Sequence, residues 1–239
     1  MDLTDPTRSV TATLDGPVLA VLARSGKPLT AGEVATQMPR GSEVGVRRSL
    51  ARLVEQGIVH AEMMGRNLVH ELNRDHVAAD IAVQLAGLRL QVWERLRKTL
   101  GAWNPKPIHG YVFGSAARGD GGPDSDIDVL LVHPPFPGDS DPRRRSSRLG
   151  GQLAGVSAEL WEGRLSERQA AKWGRQVDAL HDQVRAWTGN PLQALEMSTL
   201  EWADHERRSS SLWHEITRDG IKVVEPPPSL IATLSAAPD

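Results

Sequence analysis

The stretch YVFGSAARGDGGPDSDIDVLLV, Tyr111 to Val132, decides how the rest of the chain is read. A short apolar run, Ile108 to Phe113, reads as a buried strand that ends in Gly114-Ser115 and turns into a short helix, Ala116 to Arg118. The first amides of such a helix have no partners inside it and attract phosphate. Gly114 allows close backbone approach, the Ser115 hydroxyl can donate to a phosphate oxygen, and Arg118 adds a charged fork. After the loop from Gly119 to Asp124, Ser125 leads into a second strand, in which Asp126 and Asp128 alternate with Ile127 and Val129. Side chains two apart on a strand share a face. Two carboxylates held that way repel unless a cation lies between them, and hard oxygen ligands suit Mg²⁺ (or Mn²⁺), which commonly shares its coordination with substrate phosphates.

The whole chain bounds what this stretch can belong to. Its 239 residues suffice for two domains, each with its own core. With 28 Lys and Arg against 30 Asp and Glu, the formal charge of −2 argues against a surface that is wholly a nucleic-acid platform, while leaving room for a local basic patch. The absence of cysteine excludes disulfides, thiolate zinc sites and a cysteine nucleophile. No stretch is apolar over the ~18 residues that a membrane helix needs, and the N-terminus has no signal-peptide pattern, so a cytoplasmic protein with no membrane partner is expected.

Working outward toward the N-terminus, Asp15-Gly16-Pro17 starts a helix. Thr30-Ala31-Gly32-Glu33 is a capping box that starts a second, and Ser42 caps a third, which carries Val46, Leu50, Leu53 and Val54 on one face and closes at Gln56-Gly57. Two short strands follow, Ile58 to Met63 and Leu68 to Leu72, around a tip at Met64 to Asn67. From Asp15 to Arg74 this order resembles the winged helix-turn-helix domain of bacterial regulators. The resemblance implies that the third helix reads double-stranded DNA with Ser42, Arg47, Arg48 and Arg52, and that Arg66 at the wing tip touches the backbone. The same arginines also suit a solvated face on a domain that binds protein or dimerises.

From Asp75 to about Trp103, the residues Val77, Ile81, Leu85, Leu88, Val92, Leu96 and Leu100 recur at steps of three and four. This predicts one long amphipathic helix that packs across both domains or pairs with its own copy in a homodimer. Asn104 to Pro107 breaks it. The expected domains are residues 1–74, a connecting helix over 75–104, and 105–239.

Gly-Ser, ten residues, then Asp-x-Asp between apolar strands resembles the signature of the DNA polymerase beta-like nucleotidyltransferase superfamily, and Ala116-Ala117-Arg118-Gly119 with Ser125 resembles its minimal bacterial branch, some members of which act as antitoxins. The resemblance implies that Gly114 and Ser115, with Arg118 and Ser125 beside them, hold a nucleoside triphosphate, and that Asp126 and Asp128 bind the metal. The superfamily usually supplies a third carboxylate from a later strand. Leu192 to Met197 reads as that strand and Glu196 as its carboxylate, provided the register does not slip by one residue.

Elsewhere, Arg143, Arg144, Arg145 and Arg148 follow a Pro-rich loop and can steer phosphates or form a solvated helix start, and a helix is expected from Ser146 to Gly163. Ser166 to Thr188 is a firmer helix. Ser198 to Glu201 is another capping box, followed by two short helices, a last strand over Ile221 to Val224 and a loose tail from Glu225. Trp202 and Trp213 are expected in the core, and His205 and His214 lack metal-pair spacing.

The expected fold class is therefore α+β, a winged helix domain and a mixed-sheet nucleotidyltransferase domain joined by a long helix. The expected function is Mg²⁺-dependent transfer of a nucleotidyl group from a nucleoside triphosphate to a hydroxyl. The alternative is a DNA-binding regulator or antitoxin with a toxin or other protein partner, whose second domain senses nucleotide or is degenerate.

Overall fold

The computed structural model describes residues 1–137, 139 and 164–224. The four arginines from Arg143 to Arg148, the helix expected over Ser146 to Gly163 and the tail from Glu225 lie outside these residues. The chain divides into two compact units, Met1–Val92 with Gly121–Asp124, and Trp93–Asp120 with the chain from Ser125 on.

In the first unit, a 3-10 turn over Pro6–Ser9 precedes α1 (Asp15–Arg24), β1 (Leu29–Thr30), α2 (Ala31–Gln37), α3 (Glu43–Glu55), β2 (Val59–Met64) and β3 (Asn67–Leu72). The capping signals act as their chemistry dictates. Thr30 accepts from the Glu33 amide while Glu33 reaches back, and Ser42 accepts from the Gly45 amide. The strands form an antiparallel sheet in the order β1-β3-β2, with Leu29 opposite His70 and Met64 opposite Asn67. One core joins Val18, Val21 and Leu22 of α1, Val34 of α2, Val46, Leu50 and Leu53 of α3, and Val59 and Leu72 of the sheet. The strand β1 was not expected, because two residues carry no periodicity.

The long helix α4 (Ala79–Gly101) gives its first part to this unit and its part from Trp93 to the second. Its apolar stripe is not uniformly buried. Val92, Leu96 and Leu100 are buried, whereas Ile81 is 58% exposed and Val77, ahead of the helix, is 96% exposed.

The second unit continues with β4 (His109–Phe113), α5 (Gly114–Arg118), β5 (Ile127–His133), α6 (Glu167–Thr188), β6 (Leu192–Ser198), α7 (Thr199–Arg207), α8 (Ser211–Asp219) and β7 (Ile221–Val224). Its sheet runs β6-β5-β4-β7, with β5 and β6 parallel and the other pairs antiparallel. A mixed sheet with helices is the α+β class. Leu130, Val132 and Met197 build a core with Trp202 of α7 and Ile216 of α8, and Tyr111, Phe113, Leu195 and Trp213 pack against it. Trp202 is thus a core residue, and Trp213, partly buried, packs against it with ring centroids 4.9 Å apart.

Candidate functional site

The turn after β4 is built as the sequence implies. Gly114 adopts φ +65°, a left-handed conformation that costs glycine little. No side chain caps the start of α5, and Gly119 closes it in the left-handed region. A Cβ at position 114 would fall on Oδ2 of Asp128, so only glycine lets the turn lie against that carboxylate. The pairing of Phe113 with Asp128 across β4 and β5 sets this proximity.

Asp128 is half-buried and Asp126, just ahead of β5, is exposed. Burial first, then the charges of Asp126 and Glu215, push the Asp128 carboxyl above its ordinary pKa, against a smaller pull from Arg118. A divalent cation would relieve both the desolvation and the repulsion, so the donor chemistry fits a hard metal. Among the described residues no group of three His, Cys, Asp or Glu side chains is arranged to hold one. Asp126 and Asp128 would be the protein's ligands, with the remainder left to water and substrate oxygens.

Ser125 is held from below. Buried Asn190 donates Nδ2 to the Ser125 carbonyl at 2.9 Å, and the Ile127 amide donates to the Pro191 carbonyl at 2.9 Å. Asn190-Pro191 thus pins the start of the Asp-x-Asp strand. Arg118, at the end of α5, donates Nε to Asp120 at 3.1 Å and Nη1 to Glu215 of α8 at 3.4 Å. Glu215 carries no local sequence signal, since only the packing of α8 brings it there.

The expectation for Glu196 is overturned. In the parallel β5–β6 register Asp128 pairs with Gln193, Leu130 with Leu195, and Leu131 with Glu196. Paired residues share a face, and alternation separates Leu131 from Asp128, so Glu196 lies on the opposite face from the aspartates. Its Oε2 accepts from Nε1 of Trp173 on α6 at 2.5 Å. The side chain of β6 beside Asp128 is the neutral Gln193.

In the first unit, the residues expected to meet DNA are only partly brought together. Arg47 and Arg66 line one groove of about 1210 Å³ between α2, α3 and the β2–β3 hairpin, together with Lys27, Met63, Met64 and Leu68. Arg47 is paired with Glu43 at 2.5 Å. Arg52 turns instead to Asp15 of α1 at 2.7 Å and to Ser49 at 3.2 Å, and Ser42 is engaged as the cap of α3. Arg48 and Arg66 are exposed.

Among the described residues no helix is long and apolar enough to cross a membrane. Comparison with curated proteins finds no match. Among solved structures, human N-acetylserotonin methyltransferase in complex with SAM is matched at 17% identity with a TM-score of 0.25, over 37% of this chain and 28% of that one. The chain thus spans less than a third of that protein, and the score does not indicate a shared fold. Residues 91–184 match the family described as nucleotidyltransferase domain. That match supports the nucleotidyltransferase superfamily for the part of the chain that carries Gly114, Ser115, Asp126 and Asp128, and nucleotidyl transfer as its general chemistry.

Proposed function

We propose that the chain is a Mg²⁺-dependent nucleotidyltransferase carrying an N-terminal winged helix domain that binds double-stranded DNA. The observation that supports it most is the closure of the Gly114 turn on the Asp128 carboxylate, which brings a phosphate-binding backbone and a metal-binding acid to one end of the sheet. In this reading, Gly114 and Ser115 bind the triphosphate through backbone amides and a hydroxyl, and Arg118 adds charge at its side. Asp126 and Asp128 hold Mg²⁺, which supplies charge neutralisation at the α-phosphate when bound. The acceptor hydroxyl oxygen forms a bond to the α-phosphorus as its proton passes to water, the bond from the α-phosphorus to the bridging oxygen breaks, and pyrophosphate leaves with the electron pair. Glu196 takes no part. The test is transfer of label from α-labelled nucleoside triphosphate, compared with Asp126→Ala and Asp128→Ala. Label transfer that survives both substitutions overturns the reading.

A second reading is favoured by one observation, the neutral Gln193 where a third carboxylate would stand beside Asp128. In it the second unit binds Mg²⁺-triphosphate without transferring it, and the protein acts as a nucleotide-sensing regulator or antitoxin. Nucleotide binding that shifts affinity for duplex DNA or for a toxin partner, with no labelled product, selects this reading over the first.

A further inference from the structure

We propose that Glu215 is a positioning residue for triphosphate binding, fixing the Arg118 guanidinium beside the Gly114-Ser115 turn. The inference rests on Arg118 being a phosphate ligand of the proposed site. Arg118 ends the five-residue helix that the turn opens, and its fork is held from two sides, Nε by Asp120 at 3.1 Å and Nη1 by Glu215 at 3.4 Å. Neither carboxylate engages Nη2, which remains available to donate to a phosphate oxygen. The guanidinium pKa is pushed above its usual value, first by the hydrogen bond with Asp120 and then by the charges of Asp120, Glu215 and Asp219.

The two anchors differ in kind. Asp120 sits two residues after Arg118 in the same stretch of chain. Glu215 comes from α8, whose N-terminus is capped by Ser210 and whose Ile216, next in the chain, is 2% exposed in the core with Leu130, Val132 and Trp202. Glu215 therefore ties an arginine on a five-residue helix to an element rooted in the core. A long side chain held before its ligand arrives loses less rotamer freedom on binding.

The sign of the effect separates positioning from simple electrostatics. Deleting a negative charge near a polyanion's site tightens binding by Coulomb's law alone. If Glu215 positions Arg118, deleting its charge weakens binding instead. The measurement is equilibrium affinity of the full chain for fluorescently labelled ATP and GTP with Mg²⁺, with no turnover needed. Arg118→Ala should raise Kd about tenfold, Glu215→Gln about three- to tenfold, and Glu215→Asp less than Glu215→Gln. In the Arg118→Ala background, Glu215→Gln should have no further weakening effect, because the two act as one unit. Thermal unfolding of each variant checks that the fold is retained, and a Glu215→Gln protein that unfolds is replaced by Glu215→Asp with Asp219→Asn as a charge control. Tighter or unchanged binding in Glu215→Gln, or weakening that persists without Arg118, overturns the inference. Failure of the wild-type chain to bind either probe instead removes the nucleotide-binding reading on which it rests.

Discussion

Trp173 on α6 donates its indole Nε1 to Oε2 of Glu196 on β6 at 2.5 Å, and Trp173 itself is 1% exposed. The carboxylate is therefore a structural acceptor, and its partner is a buried donor with few alternatives. Glu196→Ala should cost about 1–3 kcal/mol of stability, the price of an unsatisfied buried donor. Glu196→Gln, whose amide oxygen still accepts, should cost less. Neither should change affinity for Mg²⁺-triphosphate. Urea unfolding and nucleotide titration check both parts, and a loss of affinity without loss of stability in Glu196→Gln would return this residue to the site.

Asp128 is half-buried, and its burial disfavours the charged carboxylate. Its folded pKa is raised, first by burial and then by the charges of Asp126 and Glu215. A raised carboxylate contributes stability that is present below the unfolded pKa, about 3.9, and is lost as pH rises through the folded value. Asp128→Asn removes that loss. The variant should be more stable than wild type at pH 7, and the difference should shrink toward low pH. Mg²⁺ should raise the unfolding midpoint of wild type by mass action and leave Asp128→Asn unmoved. Equal responses of the two proteins to Mg²⁺ would exclude Asp128 as a metal ligand.

How much of this was legible in the sequence depends on how local each interaction is. The Gly114 turn and the caps at Thr30, Ser42 and Ser198 rest on neighbours within a few residues, and they form as read. Glu196 was misjudged because its face is set by pairing with β5, some sixty residues earlier, and period-2 alternation within β6 cannot supply that register. Arg52 was assigned to a DNA-reading surface, but its partner Asp15 is 37 residues away on α1. Glu215 and Asn190 belong to the same class: each reaches the site through tertiary packing, and nothing in the local pattern marks them.

His70 on β3 is 6% exposed, and among the described residues its Nδ1 has no hydrogen-bond partner. Burial lowers its pKa, helped by the charge of Arg47 and opposed by a hydrogen bond with the Leu29 backbone. A depressed histidine contributes stability that is present above the unfolded pKa of about 6.5 and is lost as pH falls through the folded value, because the unfolded chain takes up a proton that the folded chain resists. Chemical denaturation between about pH 7.5 and 5 should show stability falling with pH, by at most ~1.4 kcal/mol per pH unit from this one group. His70→Phe should flatten that slope. An unchanged slope would mean that other histidines carry the effect.

Ion pairing divides the arginines of α3 and of the β2–β3 tip into two sets, and DNA binding should follow the division. Arg47 is held by Glu43 and Arg52 by Asp15, whereas among the described residues Arg48 and Arg66 have no carboxylate partner and are exposed. If this unit binds duplex DNA, each free arginine that contacts a phosphate contributes about one unit to the dependence of log affinity on log salt. Arg48→Ala and Arg66→Ala should each weaken binding and reduce that slope by about one. Glu43→Ala should strengthen binding by releasing Arg47 into the groove it shares with Arg66. Arg52→Ala should leave DNA affinity unchanged and cost at most about 1 kcal/mol of stability through the lost Asp15 pair, whose arginine is 52% exposed. Fluorescence anisotropy on a labelled promoter duplex at several salt concentrations reads all four variants. A salt slope that neither Arg48→Ala nor Arg66→Ala changes would mean that this face does not meet phosphates, and would leave its exposed Met63, Met64 and Leu68 as the surface of a protein contact.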